Sequence, residues 1–479
     1  MKKRNSLIVM LLSLSMLLLI YFTGCDPKNS PDKEMKSEKN AHVDFSGFPD
    51  FGVMVSPATF DSFYSGKSVF KLRQDYPEAM PGKDQIADFF KLPFDDKNKW
   101  LDWMNAIRDY CFDGMIDVDF VAQKNKVHDW YHVPWLHWGF TASEGFHGLV
   151  KEININPYQI SPTQTKMGQV YALAFYNNFA GHVLHNMWKD PNNPNSFATE
   201  GPDGGFPVGT VIFKLLFTDL DSTQADFLQN PFEWDAFISP SYFDSLRKDK
   251  IVHKVHLIQM DIMVRDSRAD KYGTGWVFGT FCYNGKLNNG KAMKDRVKNL
   301  VPVGIQFGTD PGYKTNWVNA YPVSKTMIND TLKETFINPS SDLPPQHLGW
   351  GGRLDGIVDL TTASCMSCHS VGEFPQISPV VPAQCFIGDT NSHGGINHLT
   401  QTDSPQFIKY FQNLRCATAY DPKYATSTDF SLQVSMALDY FWQWKNRNLR
   451  GMYADEYNLV THEISRGNGT IPKAKAKQK

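Results

Sequence analysis

The chain has 479 residues, with 48 Lys+Arg against 50 Asp+Glu and a formal charge of −2 at pH 7. That balance argues against a nucleic-acid partner, which a basic excess would mark. Hydrophobic residues are 42% and charged residues 20% of the chain, a composition that builds a packed core rather than a disordered polymer.

The first 25 residues read as an export signal. Lys2, Lys3 and Arg4 precede a 16-residue apolar run, Leu7 to Phe22. That run is short for a spanning helix, which needs about 20 apolar residues, and has the layout of a secretory signal. It ends in Phe22-Thr23-Gly24-Cys25, which resembles a bacterial lipobox and makes Cys25 the expected lipidation site. Residues 26–41 are polar and read as a flexible tether. The expected setting is the bacterial cell envelope, lipid-anchored through Cys25 on the periplasmic or outer-membrane face.

Residues 42–345 read as a β-rich domain with a few helices. Trp100, Trp103, Met104, Ile107 and Cys111 have helical spacing, and the apolar residues from Val170 to Met187 also suggest a helix. Strands are expected at Thr210–Phe217, around Ile258–Val264, at Trp276–Phe281 and at Val301–Phe307. His128, His132, His137 and His147 fall close together among tryptophans. They could serve proton or electron delivery, or sit as hydrogen-bonded histidines in an aromatic core. Lys214 interrupts an apolar strand, where a snorkelling edge lysine is the plain expectation.

Pro-rich sequence near 338–345 marks a boundary. Beyond it, Cys365-Met366-Ser367-Cys368-His369 reads C-x-x-C-H, the attachment signature of a c-type haem. The spacing lets two thiols reach the two vinyl groups of one porphyrin edge, and the adjoining imidazole supplies the proximal iron ligand. A redox C-x-x-C or half a zinc site are the rivals. One motif implies one covalent haem, held by Cys365 and Cys368 with His369 on the iron. For the opposite side of the iron the candidates are Met436, then Met452, His393 and His398. Of the other cysteines, Cys111, Cys282, Cys385 and Cys416 allow three pairings. The shared region favours Cys385 with Cys416, and free buried thiols are the alternative. Helices are expected at Ser404–Leu414 and Asp429–Arg447. Residues 346–463 therefore read as a mainly helical, cytochrome c-like haem domain and 464–479 as a disordered basic tail, for an α+β fold overall.

The run Gly349 to Ser370, with an arginine-leucine-x-glycine-x-valine-aspartate segment before C-x-x-C-H, resembles a family of exported bacterial mono-haem c-type cytochrome lipoproteins. So do Trp130–Trp135, Phe206–Lys214, Gly275–Thr280 and Thr428–Gln433. The resemblance implies haem binding and brings no substrate. A weaker resemblance is to the lysine-cross-linked hydroxylamine-oxidising cytochromes and cytochrome c-prime-beta, β-folds in which Lys214 would be the cross-linking lysine. The expected function is one-electron transfer with a redox partner protein. The alternatives are a haem enzyme or small-ligand binder acting on nitrogen oxides, hydroxylamine or peroxide, and a surface binding lipoprotein with accessory haem.

Overall fold

The computed structural model describes residues 72–447 except 137–143, 145, 202–203, 239–250, 288–292, 313–327, 345–346, 379 and 381–404, and adds a strand pair at 42–43 and 49–50. The chain divides into two units, residues 1–40 and residues 41–479. In chain order the elements are β1 (His42–Val43), β2 (Pro49–Asp50), α1 (Trp100–Phe112), β3 (Trp130–Tyr131), β4 (Val150–Ile155), β5 (Gly168–Asn177), α2 (Asn178–Trp188), β6 (Val211–Thr218), β7 (Glu233–Ile238), β8 (Ile251–Arg265) and β9 (Trp276–Tyr283). There follow α3 (Met293–Arg296), β10 (Leu300–Gln306), β11 (Thr335–Ile337), α4 (Cys365–Ser370), β12 (Glu373–Phe374), α5 (Pro405–Tyr410), β13 (Thr426–Ser427) and α6 (Leu432–Arg447).

Nine strands make one antiparallel sheet in the order β11-β10-β9-β8-β6-β5-β3, with β4 also on β5 and β7 also on β8. Side chains alternate between its faces. One face carries Phe175, Phe213, Leu215, Ile262 and Phe281, all buried in the largest apolar cluster. Onto it packs α1, whose Trp100, Trp103, Met104, Ile107 and Cys111 form a single buried stripe. Each such side chain contributes about 1.5–3 kcal/mol on burial. The helix sits close because Gly279 of β9 has no side chain; a Cβ there would lie 2.8 Å from Met104 Sδ.

The opposite face carries Tyr176, Ile212, Met263 and Phe278, which share a second cluster with Val183, Leu184 and Met187 of α2 and with Val434, Ala437, Leu438 and Phe441 of α6. The same face also presents a polar row. Lys214 of β6 pairs in register with Asp261 of β8, and Asp261 with Thr280 of β9.

Two expectations are corrected. The helix expected from Val170 to Met187 is a strand followed by a helix. All ten residues of β5 are buried, so the run is apolar on both faces and carries no readable period. Asn177 ends it, accepting a hydrogen bond from Ala180 N as the N-cap of α2. The mainly helical haem domain is also overturned, and with it the α+β reading of the whole chain. The molecule is sheet-dominated. Among the described residues after 346, the helices are α4 and α5, of 6 residues each, and α6, of 16. Met366 of α4 and the apolar side chains of α6 bury against the sheet and α2, while Tyr410 of α5 joins a small cluster with Trp350, Ala363, Val371, Phe411 and Tyr420.

Candidate functional site

The C-x-x-C-H motif forms α4. Ser364 caps it: Ser367 N donates to Ser364 Oγ at 3.3 Å, and Ser364 N donates back to Ser367 Oγ at 3.0 Å. Upstream, Gly351 and Gly352 take left-handed backbone (φ 67° and 79°), which lets the chain turn tightly back on itself. Trp350 N then donates to Ala363 O at 2.7 Å, and Cys365 N to Leu354 O at 3.0 Å.

Arg353 anchors this loop. It is fully buried, its Nε donates to Thr309 O at 2.6 Å and its Nη1 to Trp350 O at 3.0 Å. Its Nη2 reaches Asp310 O at 3.4 Å, and the guanidinium lies over the Phe411 ring at 4.6 Å.

Two glutamines of the sheet fasten the segment from below. Gln259 of β8 accepts from Val358 N at 3.2 Å and donates to Asp359 Oδ2 at 2.7 Å. Gln306 of β10 accepts from Met366 N at 3.2 Å and donates to Ser364 Oγ at 3.3 Å. A neutral amide suits this position because it supplies donor and acceptor at once.

His369 ends the motif with its ring 5.0 Å from that of Phe278. Its Nδ1 lies 2.8 Å from Phe430 O. A carbonyl only accepts, so Nδ1 carries the proton and Nε2 carries the lone pair. Burial holds the imidazole down at about 4, so it is neutral at neutral pH, the state in which histidine ligates a metal. Cys365 and Cys368 are free thiols three residues apart on one side of α4. Burial, reinforced by the nearby Asp355 carboxyl, pushes Cys365 well up and Cys368 up to about 12. A dithiol oxidoreductase needs the opposite shift, a lowered attacking thiol. The donor set fits covalent haem: two protonated thiols on one face and an imidazole in the ligating tautomer, oriented by a backbone carbonyl.

The carbonyl of Phe430 is itself placed by strain. Asp429 and Phe430 both have positive φ, 49° and 67°, a conformation that costs non-glycine residues of the order of 1–3 kcal/mol each. The buried Asp429 carboxylate holds it by accepting from Phe206 N (2.6 Å), Trp276 Nε1 (2.9 Å) and Ala417 N (2.8 Å). Three separated sequence segments, around Phe206, Trp276 and Asp429, thus meet behind the imidazole. Reading from sequence missed Asp429 as a site residue. Its signal was the run Thr428–Gln433, in which Asp429 is the only charged side chain.

The polar row runs beneath the motif. Lys214 Nζ is 2.6 Å from Glu152 Oε1, and Thr280 Oγ1 donates to Asp261 Oδ1 at 2.6 Å. β6 lies between β5 and β8, so Lys214 is an interior ion-paired residue and not the expected edge lysine.

The remaining candidates lie elsewhere. His132 exchanges backbone and ring contacts with Arg73, His147 stacks on Trp234 at 4.3 Å, and His128 sits 3.4 Å from Asp113 beside Tyr110. These three histidines contact different residues, and none of the three lies in the motif. Met436 is half-buried on α6 against the second cluster. Cys111, Cys282 and Cys416 are free thiols, which is the unpaired alternative for these three. Cys25, His137, Cys385, His393, His398 and Met452 lie outside the described residues. Among the described residues, no helix is long and apolar enough to cross a membrane.

Comparison with protein-family models, curated proteins and solved structures finds no match to this chain.

Proposed function

We propose that this chain is an exported c-type cytochrome that carries one covalent haem and passes single electrons to a redox partner protein in the bacterial envelope. One observation carries the reading. The His369 Nδ1 proton is committed to Phe430 O at 2.8 Å, directly after two free thiols at haem-attachment spacing. Cys365 and Cys368 would each form a thioether with a vinyl group, the thiol hydrogen passing to the vinyl carbon, so attachment needs no oxidant. His369 would bind the iron through Nε2, and the Phe430 carbonyl would fix the plane of its ring. Haem bound there supplies a site that takes up and releases one electron. Cys25, once lipidated, would keep the protein at the membrane.

The second reading is a haem enzyme or small-ligand binder, favoured by the charged row of Lys214 and Asp261 beneath the motif. Both are tested on protein exported from a host that attaches haem c. Haem should stay on the polypeptide through denaturing electrophoresis; its absence refutes both readings. An electron carrier with both axial positions filled should keep its reduced spectrum under carbon monoxide, and a shifted spectrum selects the second reading.

Met436 tests the other side of the iron. The first residues of α6 follow Phe430, whose carbonyl backs the imidazole on the side away from Nε2. Met436 packs against the second cluster, so we expect it to contribute to packing and not to ligate. Met436→Ala should cost about 2 kcal/mol on unfolding and leave the reduced spectrum unaltered. A lowered reduction potential with new carbon monoxide binding would instead make Met436 the ligand.

A further inference from the structure

We propose that the carboxyl pair of Asp261 and Asp359 is a redox-linked proton site, taking one proton from solvent when the haem on α4 gains an electron and releasing it when the haem is oxidised. This rests on the covalent-haem reading and adds to it a role for the sheet. The geometry is a shared amide. Gln259 Nε2 donates to Asp261 Oδ1 at 2.9 Å and to Asp359 Oδ2 at 2.7 Å. One neutral nitrogen therefore bridges two carboxyl groups, and two such neighbours resist ionising together.

The surroundings hold too little positive charge to neutralise them. Lys214 on β6 is the one cation facing the pair among the described residues, and its ammonium is taken up by Glu152 of β4 at 2.6 Å. The other groups that face it are acids or neutral. They are Asp355 from the loop before α4, Cys282 from β9, Cys365 and Cys368 from α4, with His369 beyond. Asp355 is a second, independent sign of proton storage: it is 4% exposed, and its Oδ2 has no hydrogen-bond partner among the described residues. A buried carboxylate oxygen left bare is costly, and a proton on it lowers that cost. Burial, then the Asp359 charge, moves Asp261 up to about 7, and burial likewise moves Asp359 up.

A chain of contacts leads from the pair to the imidazole. Asp261 pairs with Thr280, two residues from Phe278 on the same face of β9, a step of about 7 Å. Phe278 in turn lies against the His369 ring. A haem charge within about 10 Å of the pair would, through an effective dielectric constant of about 20, shift its protonation equilibrium by about tenfold. Reduction adds one negative charge at the haem, and one proton on the carboxyl pair balances it. The electron comes from an external one-electron donor and the proton from water.

The test is the midpoint potential of the holoprotein, titrated with dithionite from pH 5 to pH 9. The expected potential falls with rising pH around neutrality by about 59 mV in all, the tenfold coupling converted for one electron, and levels off on either side. In Asp261→Asn the slope should be lost while covalent haem and its spectrum persist. Because removing a half-buried carboxylate that accepts from Gln259 and Thr280 can unfold the sheet, the unaltered protein is also read by reduced-minus-oxidised infrared difference spectroscopy. A protonated-carboxyl band should appear on reduction and shift in heavy water. A flat potential or no such band, with haem attached, overturns the proton site alone. Equal slopes in the unaltered protein, Asp261→Asn and Asp359→Asn do the same. A protein without covalent haem overturns the haem reading and this one together.

Discussion

Alanine at both Cys365 and Cys368 is expected to abolish covalent haem completely, leaving no haem on the polypeptide after denaturing electrophoresis. The two thiols are the attachment chemistry in the proposed function, and each leaves one thioether when the other is removed. Single variants should therefore retain haem through one bond, and the double variant none. The fold should survive the loss of both sulfurs. Ser364 and Ser367 still cap α4, and Gln306 still accepts from Met366 N at 3.2 Å. The double variant should thus be a folded protein with an empty motif, readable by circular dichroism beside the haem stain. Haem that survives the double change would place attachment elsewhere in the chain and end the proposal.

Arg353→Met is expected to cost about 3–5 kcal/mol of unfolding free energy, measured in denaturant. Three carbonyls accept from the guanidinium, at Thr309, Trp350 and Asp310. Each buried acceptor left bare costs about 1–3 kcal/mol, offset in part because a charge no longer has to be desolvated. Methionine keeps much of the side-chain volume, so the loss reports hydrogen bonds more than a cavity. Lysine should rescue little, since a point charge cannot divide among acceptors as the planar fork does. A loss below about 1 kcal/mol would mean that the loop is held by Gln259 and Gln306 alone.

How much of this was legible in the sequence follows from how many faces of each element meet water. The strands β6, β8, β9 and β10 fall where alternation and β-branched runs place them, because turn residues bound them clearly. β5 was lost to a helical reading because burial on both faces erases the period. The motif residues Cys365, Cys368 and His369 were readable from spacing alone. Their surroundings were not. Gln259 and Gln306 look like ordinary polar positions on alternating strands until the topology lays the C-terminal segment over them. Asp429 is harder still, since its role depends on two consecutive left-handed residues and on donors 223 and 153 positions away in the chain. The separate helical domain was an error of the same kind. A C-terminal segment that packs α6 on a sheet and keeps only a small cluster of its own has the local pattern of an independent helical domain.

The row of Lys214, Asp261, Gln259 and Gln306 has a consequence for biogenesis. Polypeptides emerge from a translocation channel N-terminus first, and the strands of this sheet precede the C-x-x-C-H segment. Their hydrogen-bonded neighbours are mostly close in sequence, so the platform can assemble while the segment that covers it is still arriving. An oily uncovered face would then recruit other chains. A face lined along its centre by charges and amides stays wetted while it waits, and gives the late segment a specific set of partners to displace water from. Under the proposed function, that interval is also when the thiols of Cys365 and Cys368 would meet a haem-loading enzyme, before α4 docks and leaves them half-buried.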